Sequence, residues 1–369
     1  MLKLQHKRHN LRFKRPAGTS RGILTEKPGR FVEIYCEGRC GRGEVSLIPG
    51  LSPDDEKLIE SELDRIGKAL RGGAVDIDRL CCPDNKKDKK SPADYKTVLA
   101  DIAALLDTLE VSPDGRFPAV RFAMETALLE LVALRKGDPF DSPFLRGEQK
   151  IPINGLIWMG DVSYMRRQIE NKLAEGYKCL KLKIGAIDFA AEYTLLAEIR
   201  KRFSKDALEL RVDANGAFSP EQAPEILQQL SKFDLHSIEQ PIAPGQRENM
   251  AKLCRESPLA IALDEELIGI PLTEQNTLLE QIKPRYIILK PSLLGGFYFA
   301  EKWIEHAAEH GIGYWITSAL ESNLGLNAIA RWTALHNVQM PQGLGTGALF
   351  VNNLPSSLRI EEGHLGLAV

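Results

Sequence analysis

A chain of 369 residues with 48 Lys and Arg against 50 Asp and Glu carries a formal net charge of −2. That balance gives no global reason to expect nucleic acid or a membrane surface as a partner, and the length fits two domains better than one. No run reaches the roughly 20 consecutive apolar residues of a membrane span; the best, ALLELVAL at 127–134, contains a glutamate.

The basic N-terminus (LKLQHKRHNLRFKRP) has no apolar h-region behind it, so no secretory signal is expected. Cysteines 36, 40, 81, 82, 179 and 254 show no C-x-x-C spacing, which points to reduced thiols in a cytoplasmic protein. Residues 1–48 read as short strands with turns: FKRP, GILTEKPGRFVEIYCEG and GRGEVSLIPG. The connection from Gly18 to Pro28 is rich in small and turn-forming residues and reads as a mobile loop. Ser52 and Pro53 are placed to start a helix through EKLIESELDRIGKALRG. DNKKDKK (84–90) reads as a solvated loop, and a second helix is expected at about 93–110. Mixed strands followed by helices predict an α+β domain over 1–115.

A long apolar helix is expected over about 117–135, stopped by Gly137 and Pro139. From there a beat sets in. INGLIWM (153–159), YKCLKLKIG, LELRVDANG, HSIEQP, LAIALDEE, RYIILKPS, GIGYWITS (311–318) and GLGTG (343–347) follow one another as β-like runs. Five of them end in charge, at Lys181 and Lys183, Asp213, Glu239, Asp264 and Lys290. The intervals from Lys183 onward are 30, 26, 25 and 26 residues, the length of one strand, one helix and their loops. Seven helical patterns lie between the runs. The expected fold is therefore α/β: a (β/α)7β TIM-type barrel over 116–349, preceded by an α+β capping domain that the tail, 350–369, completes.

In such a barrel the strand C-termini converge on one mouth, where catalytic groups collect. Asp213, Glu239 and Asp264 offer only oxygens, as Mg²⁺ prefers. Three acids at one level repel each other unless a cation sits among them. Helix capping, or salt bridges with the lysines at the strand ends, are the plainer explanations for such acids; for Asp213 the capping role is already taken by Ser219-Pro220-Glu221-Gln222, which caps the next helix. The period of two puts Lys181 and Lys183 on one face. Two ammonium groups about 4 Å apart repel by ~4 kcal/mol at an effective dielectric of 20, so one lysine can serve as a base near neutral pH. A base beside a hard cation suits proton abstraction α to a carboxylate. The partner expected is thus a small-molecule carboxylate; the oligomeric state is not readable.

K-x-K, D-x-N (Asp213, Asn215), IEQP, LDE and the lysine on the sixth strand together resemble the enolase superfamily, muconate-lactonizing subgroup, over nearly the whole chain. IEQP stands where IEEP is commoner, which leaves Glu239 in place. GRGEVSLIPGLS (41–52), PINGLIWMG (152–160), ILKPSLLGG (288–296) and ITSALESNLGLNAIA (316–330) narrow the resemblance to a dehydratase of that subgroup. The resemblance implies a lysine base and a Mg²⁺-stabilised enediolate, the known pattern of the superfamily, with Mn²⁺ able to substitute. On this chain it makes Lys183 the base, with Lys181 depressing its pKa and Lys290 stabilising the intermediate. Asp213, Glu239 and Asp264 become the metal ligands.

Weaker candidates surround these. Arg211, two residues before Asp213, is expected to assist at the mouth. Gly296, Ser318 and Gly345, at the ends of the sixth to eighth strands, are candidates for substrate contact, against plain turn geometry for the glycines. Ser20 and Arg21, in the mobile loop, are expected to approach the substrate as it closes. Asn215 and Glu321 are expected just behind the reacting groups. His306 and His310 lack further zinc ligands. Racemisation of an N-acylamino acid, or epimerisation of a dipeptide, needs two opposed lysines and stays open, although GLGTG lacks the acidic pair expected of a dipeptide epimerase. A lysine Schiff-base aldolase, independent of metal, is the rival from another class.

Overall fold

A computed structural model describes residues 2–19, 22–72, 94–112, 114–185 and 187–368. The charged run 84–90 and the loop residues Ser20 and Arg21 lie outside them.

The N-terminal part is built on a three-stranded antiparallel sheet. Its order is β1 (Lys3–Arg8), β4 (Gly29–Cys36), β5 (Arg39–Ser46), with Lys3 opposite Tyr35 and Gly29 opposite Ser46. β2 (Leu11–Thr19) and β3 (Gly22–Lys27) form a separate hairpin whose register shifts between Arg12 and Ala17. Pro16 lies inside that shift, where its missing N–H interrupts the ladder. The helix Ile59–Gly72 buries Ile59, Leu63, Ile66 and Leu70, the single stripe that a 3.6-residue period produces. It begins later than Ser52 suggests, because the Ser52 hydroxyl instead accepts the Ile48 N–H at 2.8 Å.

The helix Pro118–Lys136 is buried on all sides, so it needs partners on all sides. One is β5, which carries Gly41 and Gly43 beneath it. A Cβ on Gly43 would stand 1.9 Å from the Ala123 carbonyl oxygen, and one on Gly41 would stand 2.0 Å from that of Ala127. Only glycine lets the helix backbone lie this close to the strand.

The barrel follows as seven parallel strands in chain order. They are β7 (Gly155–Ile157), β8 (Cys179–Lys183), β9 (Glu209–Asp213), β10 (Ser237–Glu239), β11 (Ile261–Leu263), β12 (Tyr286–Leu289) and β13 (Gly313–Ile316). Helices Val162–Ala174, Phe189–Arg202, Ala223–Leu230, Arg247–Glu256, Leu272–Ile282, Phe297–Glu309 and Asn323–Thr333 occupy the expected places. The capping box at Ser219 is present. Its hydroxyl accepts from Gln222 N at 3.3 Å, while the Gln222 side chain accepts from Ser219 N at 3.3 Å.

The eighth position is shorter than a strand. Gln342 bridges Ile153 and Gly343 bridges Thr317, both parallel, so two residues link β13 back to the chain entering β7. Gly343 is required there, since its Cβ would fall 2.0 Å from Thr317 Oγ1.

The tail runs both ways. Val351 N donates to Arg12 O at 2.9 Å, and Phe350 packs on Phe13 with ring centroids 4.8 Å apart. Beyond it, β14 (Leu358–Glu361) and β15 (His364–Leu367) join β6 (Ile151–Pro152), just ahead of the first barrel strand. The N-terminal part sits on the mouth through an apolar cluster of Leu11, Ile48, Leu293, Ala319, Leu320 and Phe350. No helix among the described residues is long and apolar enough to cross a membrane.

Candidate active site

Strand register places the charges. Lys183 pairs with Asp213 and Asp213 with Glu239, so three successive strands present charge at one level. Asp264 and Lys290 directly follow β11 and β12. In a ring of eight positions β8 and β12 are four apart, so Lys183 and Lys290 face each other across the mouth.

The six groups interlock. Lys181 Nζ lies 2.9 Å from Asp213 Oδ2 and also pairs with Glu239. Lys183 Nζ stands 2.9 Å from the same Asp213 oxygen and donates to Asn215 Oδ1 at 2.7 Å. Lys290 pairs with Asp264. Burial works against every charged form here, and the neighbours decide the outcome. Burial would raise the Asp213 carboxyl, but Lys181, Lys183 and Lys290 hold it far below the usual carboxylate range. Burial and the Asp213 charge push Glu239 well above that range. Burial would lower Lys181 and Lys290, yet the carboxylates around them hold both above an ordinary lysine. For these two lysines the acids, and not the neighbouring ammonium groups, set the balance.

A second ring of polar residues fixes the first. Asn215 sits at φ 44°, a backbone region that asparagine tolerates better than most residues. From there its N–H reaches Asp213 Oδ1 at 3.1 Å and its side-chain amide reaches Glu265 Oε1 at 3.0 Å. Gln240, the departure noted in IEQP, proves to be an organiser. Its carbonyl oxygen accepts from Asp264 N at 3.1 Å and Glu266 N at 3.2 Å, while its amide donates to Glu266 Oε2 at 3.2 Å. A glutamate in this position would have no N–H for Glu266. The sequence offered the substitution as a signal, but its contacts are long-range.

Above the charges opens a cavity of about 340 Å³. Lys181, Lys183, Lys290, Asp213, Asn215 and Glu265 form its polar floor, and Ser318 and Gly345 stand in its wall. Apolar walls come from Leu156, Trp158 and Leu320, and from Ile48 and Leu51 of the N-terminal part. Ile48 and Leu51 escaped the sequence reading; the signal was LIPGLS, whose apolar residues flank a Pro-Gly turn that has no reason to expose them. Ser318 Oγ hydrogen-bonds Thr346 Oγ1 at 2.5 Å.

Two expected contacts, Arg211 and Gly296, lie elsewhere. Arg211 does not line the cavity: it is buried one layer deeper, 4.4 Å over the Trp315 ring, bonded to Glu209 at 2.7 Å and to Pro341 O at 2.9 Å. The same period of two that put it on the interior face also put it below Asp213. Gly296 faces away from the mouth, with the Glu125 carboxylate 2.2 Å from where its Cβ would be; close packing, and not substrate, explains it. Glu321 is fully buried behind the wall, accepting from Ser292 Oγ at 2.5 Å and Ala319 N at 2.7 Å.

The donor set fits a hard divalent cation. Asp213, Glu239 and Asp264 offer only oxygens at adjacent strand ends, and Glu239 Oε1 is buried with no hydrogen-bond partner among the described residues. Among the described residues no three His, Cys, Asp or Glu side chains are gathered closely enough to hold a metal ion as they stand; Lys181 bridges Asp213 and Glu239 instead.

A parallel barrel with acids and opposed lysines at its strand C-termini defines a class of acid–base enzymes acting on carboxylates. The family model described as enolase C-terminal domain-like matches residues 164–367. An o-succinylbenzoate synthase from Desulfotalea psychrophila is 59% identical over 367 residues, covering 100% of this chain and 99% of that protein. The crystal structure of MenC from the same organism is similar at a TM-score of 0.90, with 55% identity and 99% of both chains covered. The chain belongs to the enolase superfamily and, within it, to the o-succinylbenzoate synthase family. A dipeptide epimerase from Enterococcus faecalis, complexed with Mg and L-Leu-L-Tyr, shares the fold at a TM-score of 0.77 and 18% identity, covering 100% of this chain and 97% of that one.

Proposed function

We propose that this protein converts 2-succinyl-6-hydroxy-2,4-cyclohexadiene-1-carboxylate to o-succinylbenzoate by a Mg²⁺-dependent syn dehydration, a step of menaquinone biosynthesis. The observation that carries this reading is the full-length relationship to an o-succinylbenzoate synthase at 59% identity. The site chemistry is consistent with it.

Asp213, Glu239 and Asp264 would hold the cation. Bound there, Mg²⁺ supplies positive charge that favours loss of a proton α to a carboxylate. Lys183, as the neutral amine, takes that proton from the ring carbon. The electrons form the new ring double bond as hydroxide leaves from the same face, and the ammonium of Lys183 returns the proton to it as water. Asn215 holds Lys183 Nζ at 2.7 Å and fixes where the proton is received. Lys290, across the mouth, places an ammonium beside the negative charge that develops. Lys181 keeps Asp213 and Glu239 compensated. Aromatisation drives the reaction, so positioning and electrostatics carry most of the catalysis. Ser318 and Gly345 line the wall where the succinyl chain would lie.

The cap, residues 1–115 with 350–369, would close the barrel of 116–349, with Ser20 and Arg21 approaching the substrate from the loop. A cytoplasmic setting belongs to the same reading, supported by the free thiols of Cys36, Cys40, Cys179 and Cys254. Opposed Lys183 and Lys290 also favour one second activity, racemisation of N-succinylamino acids. The purified protein should release o-succinylbenzoate from the cyclohexadiene substrate with Mg²⁺ and not in excess EDTA. Absence of product with Mg²⁺ present would reject the assignment.

A further inference from the structure

Between the cap and the barrel lies a charged joint that solvent does not reach. Lys27, at the base of the β2–β3 hairpin, and Glu321 are fully buried, and Glu44 of β5 is 2% exposed. Lys27 donates to Ser46 Oγ, two residues before Ile48 of the cavity wall. Glu44 accepts from Ser322 N at 2.8 Å, Ser322 Oγ at 2.5 Å and Gly325 N at 3.1 Å. A residue of the cap thus caps the barrel helix Asn323–Thr333. The approach is tight enough that a Cβ on Gly325 would meet Glu321 Cβ at 2.8 Å and Glu44 Oε2 at 3.1 Å. Lys27 is the cation that both carboxylates feel: burial lowers its pKa, and Glu321 and Glu44 oppose that.

The joint ends on the site. Glu321 grips Ser292 Oγ at 2.5 Å and Ala319 N at 2.7 Å. Ser292 is two residues beyond Lys290, in the helix Pro291–Leu294 that Lys290 leads into; Ala319 follows Ser318. Between Ala319 and Glu321, Leu320 lines the cavity in the left-handed region at φ 62°, a conformation that persists only where the surroundings enforce it. Buried charges of this kind are poor stabilisers, since apolar residues of similar volume are often as stable or more so. A joint made of them is better explained by the geometry it imposes.

We propose that Glu321, whose chain neighbour Ser322 is held by Glu44 of the cap, is a positioning residue that sets the two turns carrying Lys290 and Ser318. The docking of the cap thereby fixes the far side of the proton-transfer site. This inference rests on the role given to Lys290 above.

Turnover and thermal melting of Ser292→Ala, Glu321→Gln, the double variant and Lys290→Ala test it. Ser292→Ala and Glu321→Gln should each lower kcat about tenfold or more while KM stays within about threefold and melting stays close to the parent. The double variant should be no worse than the poorer single one, because both cut one path. Normal kcat in both single variants, or losses that merely follow the melting temperature, would overturn the proposal. Lys290→Ala separates the two readings: if it retains turnover, the role of Lys290 fails; if it is inactive while the others are normal, the positioning role fails.

Discussion

Lys183→Ala separates catalysis from folding most cleanly. The amine sits 2.9 Å from Asp213 and 2.7 Å from Asn215. Removing it does not strand the buried acid, because Asp213 keeps Lys181 at 2.9 Å and the Asn215 N–H at 3.1 Å. The fold should therefore lose only about 1–3 kcal/mol, the ordinary range for a point substitution. Catalysis loses far more. A positioned base contributes about 10²–10⁴-fold, and in a same-face elimination Lys183 serves as base and then as acid, which places the loss near the upper end. A 10⁴-fold fall corresponds to about 5.5 kcal/mol of barrier. The assay is turnover followed by the ultraviolet change as the diene becomes aromatic, beside circular dichroism and a melting curve. If kcat stays within about tenfold of the parent and the spectrum is native, Lys183 is not the base and the proton-transfer scheme falls.

Other perturbations probe the remaining parts. Chelation should abolish turnover, because the clustered carboxylates need a cation to bind a carboxylate substrate, and Mn²⁺ should restore part of it; full activity in excess EDTA would exclude the metal. Replacing Thr19, Ser20 and Arg21 together by alanine should raise KM clearly with almost no change in melting; an unchanged KM would remove these residues from substrate binding. Gly43→Ala should cost about 3 kcal/mol or more, because its Cβ would stand 1.9 Å from the Ala123 carbonyl oxygen; an unshifted melting curve would contradict the packing of the helix Pro118–Lys136 on β5. Asp54 offers a pH test. Burial raises its carboxyl to about 7, against the pull of the Ala119 and Val120 N–H groups. A folded-state pKa above the unfolded one favours the folded form while the acid is protonated. That contribution is lost as pH rises between about 4 and 8, and Asp54→Asn should flatten this part of the stability profile. An identical slope in the variant would refute the shift.

The sequence alone carried the beat of the barrel, because both quantities behind it are local. A strand alternates sides every second residue, and one strand plus one helix consumes a nearly constant length of chain. Lys181, Lys183, Asp213, Glu239, Asp264 and Lys290 therefore fell at one mouth on paper as they do in space. The capping box at Ser219 was legible for the same reason. Depth within the barrel was not. A period of two says that Arg211 points inward with Asp213, but strand tilt and register decide which layer faces the cavity, and Arg211 lies under Trp315. Gly296 had the look of a turn near substrate and turned out to accommodate Glu125, 171 residues earlier. GLGTG reads as a strand, yet closure needs only Gln342 and Gly343, because the two neighbouring edges already stand close enough for one bridge each. Most hidden was the joint of Lys27, Glu44 and Glu321. Glu44 and Ser322 meet across 278 residues of chain, and no local pattern marks a buried glutamate in a strand of the cap as the N-terminal cap of a barrel helix. Local periodicity determined which groups gather at the mouth; only the packing of the cap on the barrel decided what holds them in place.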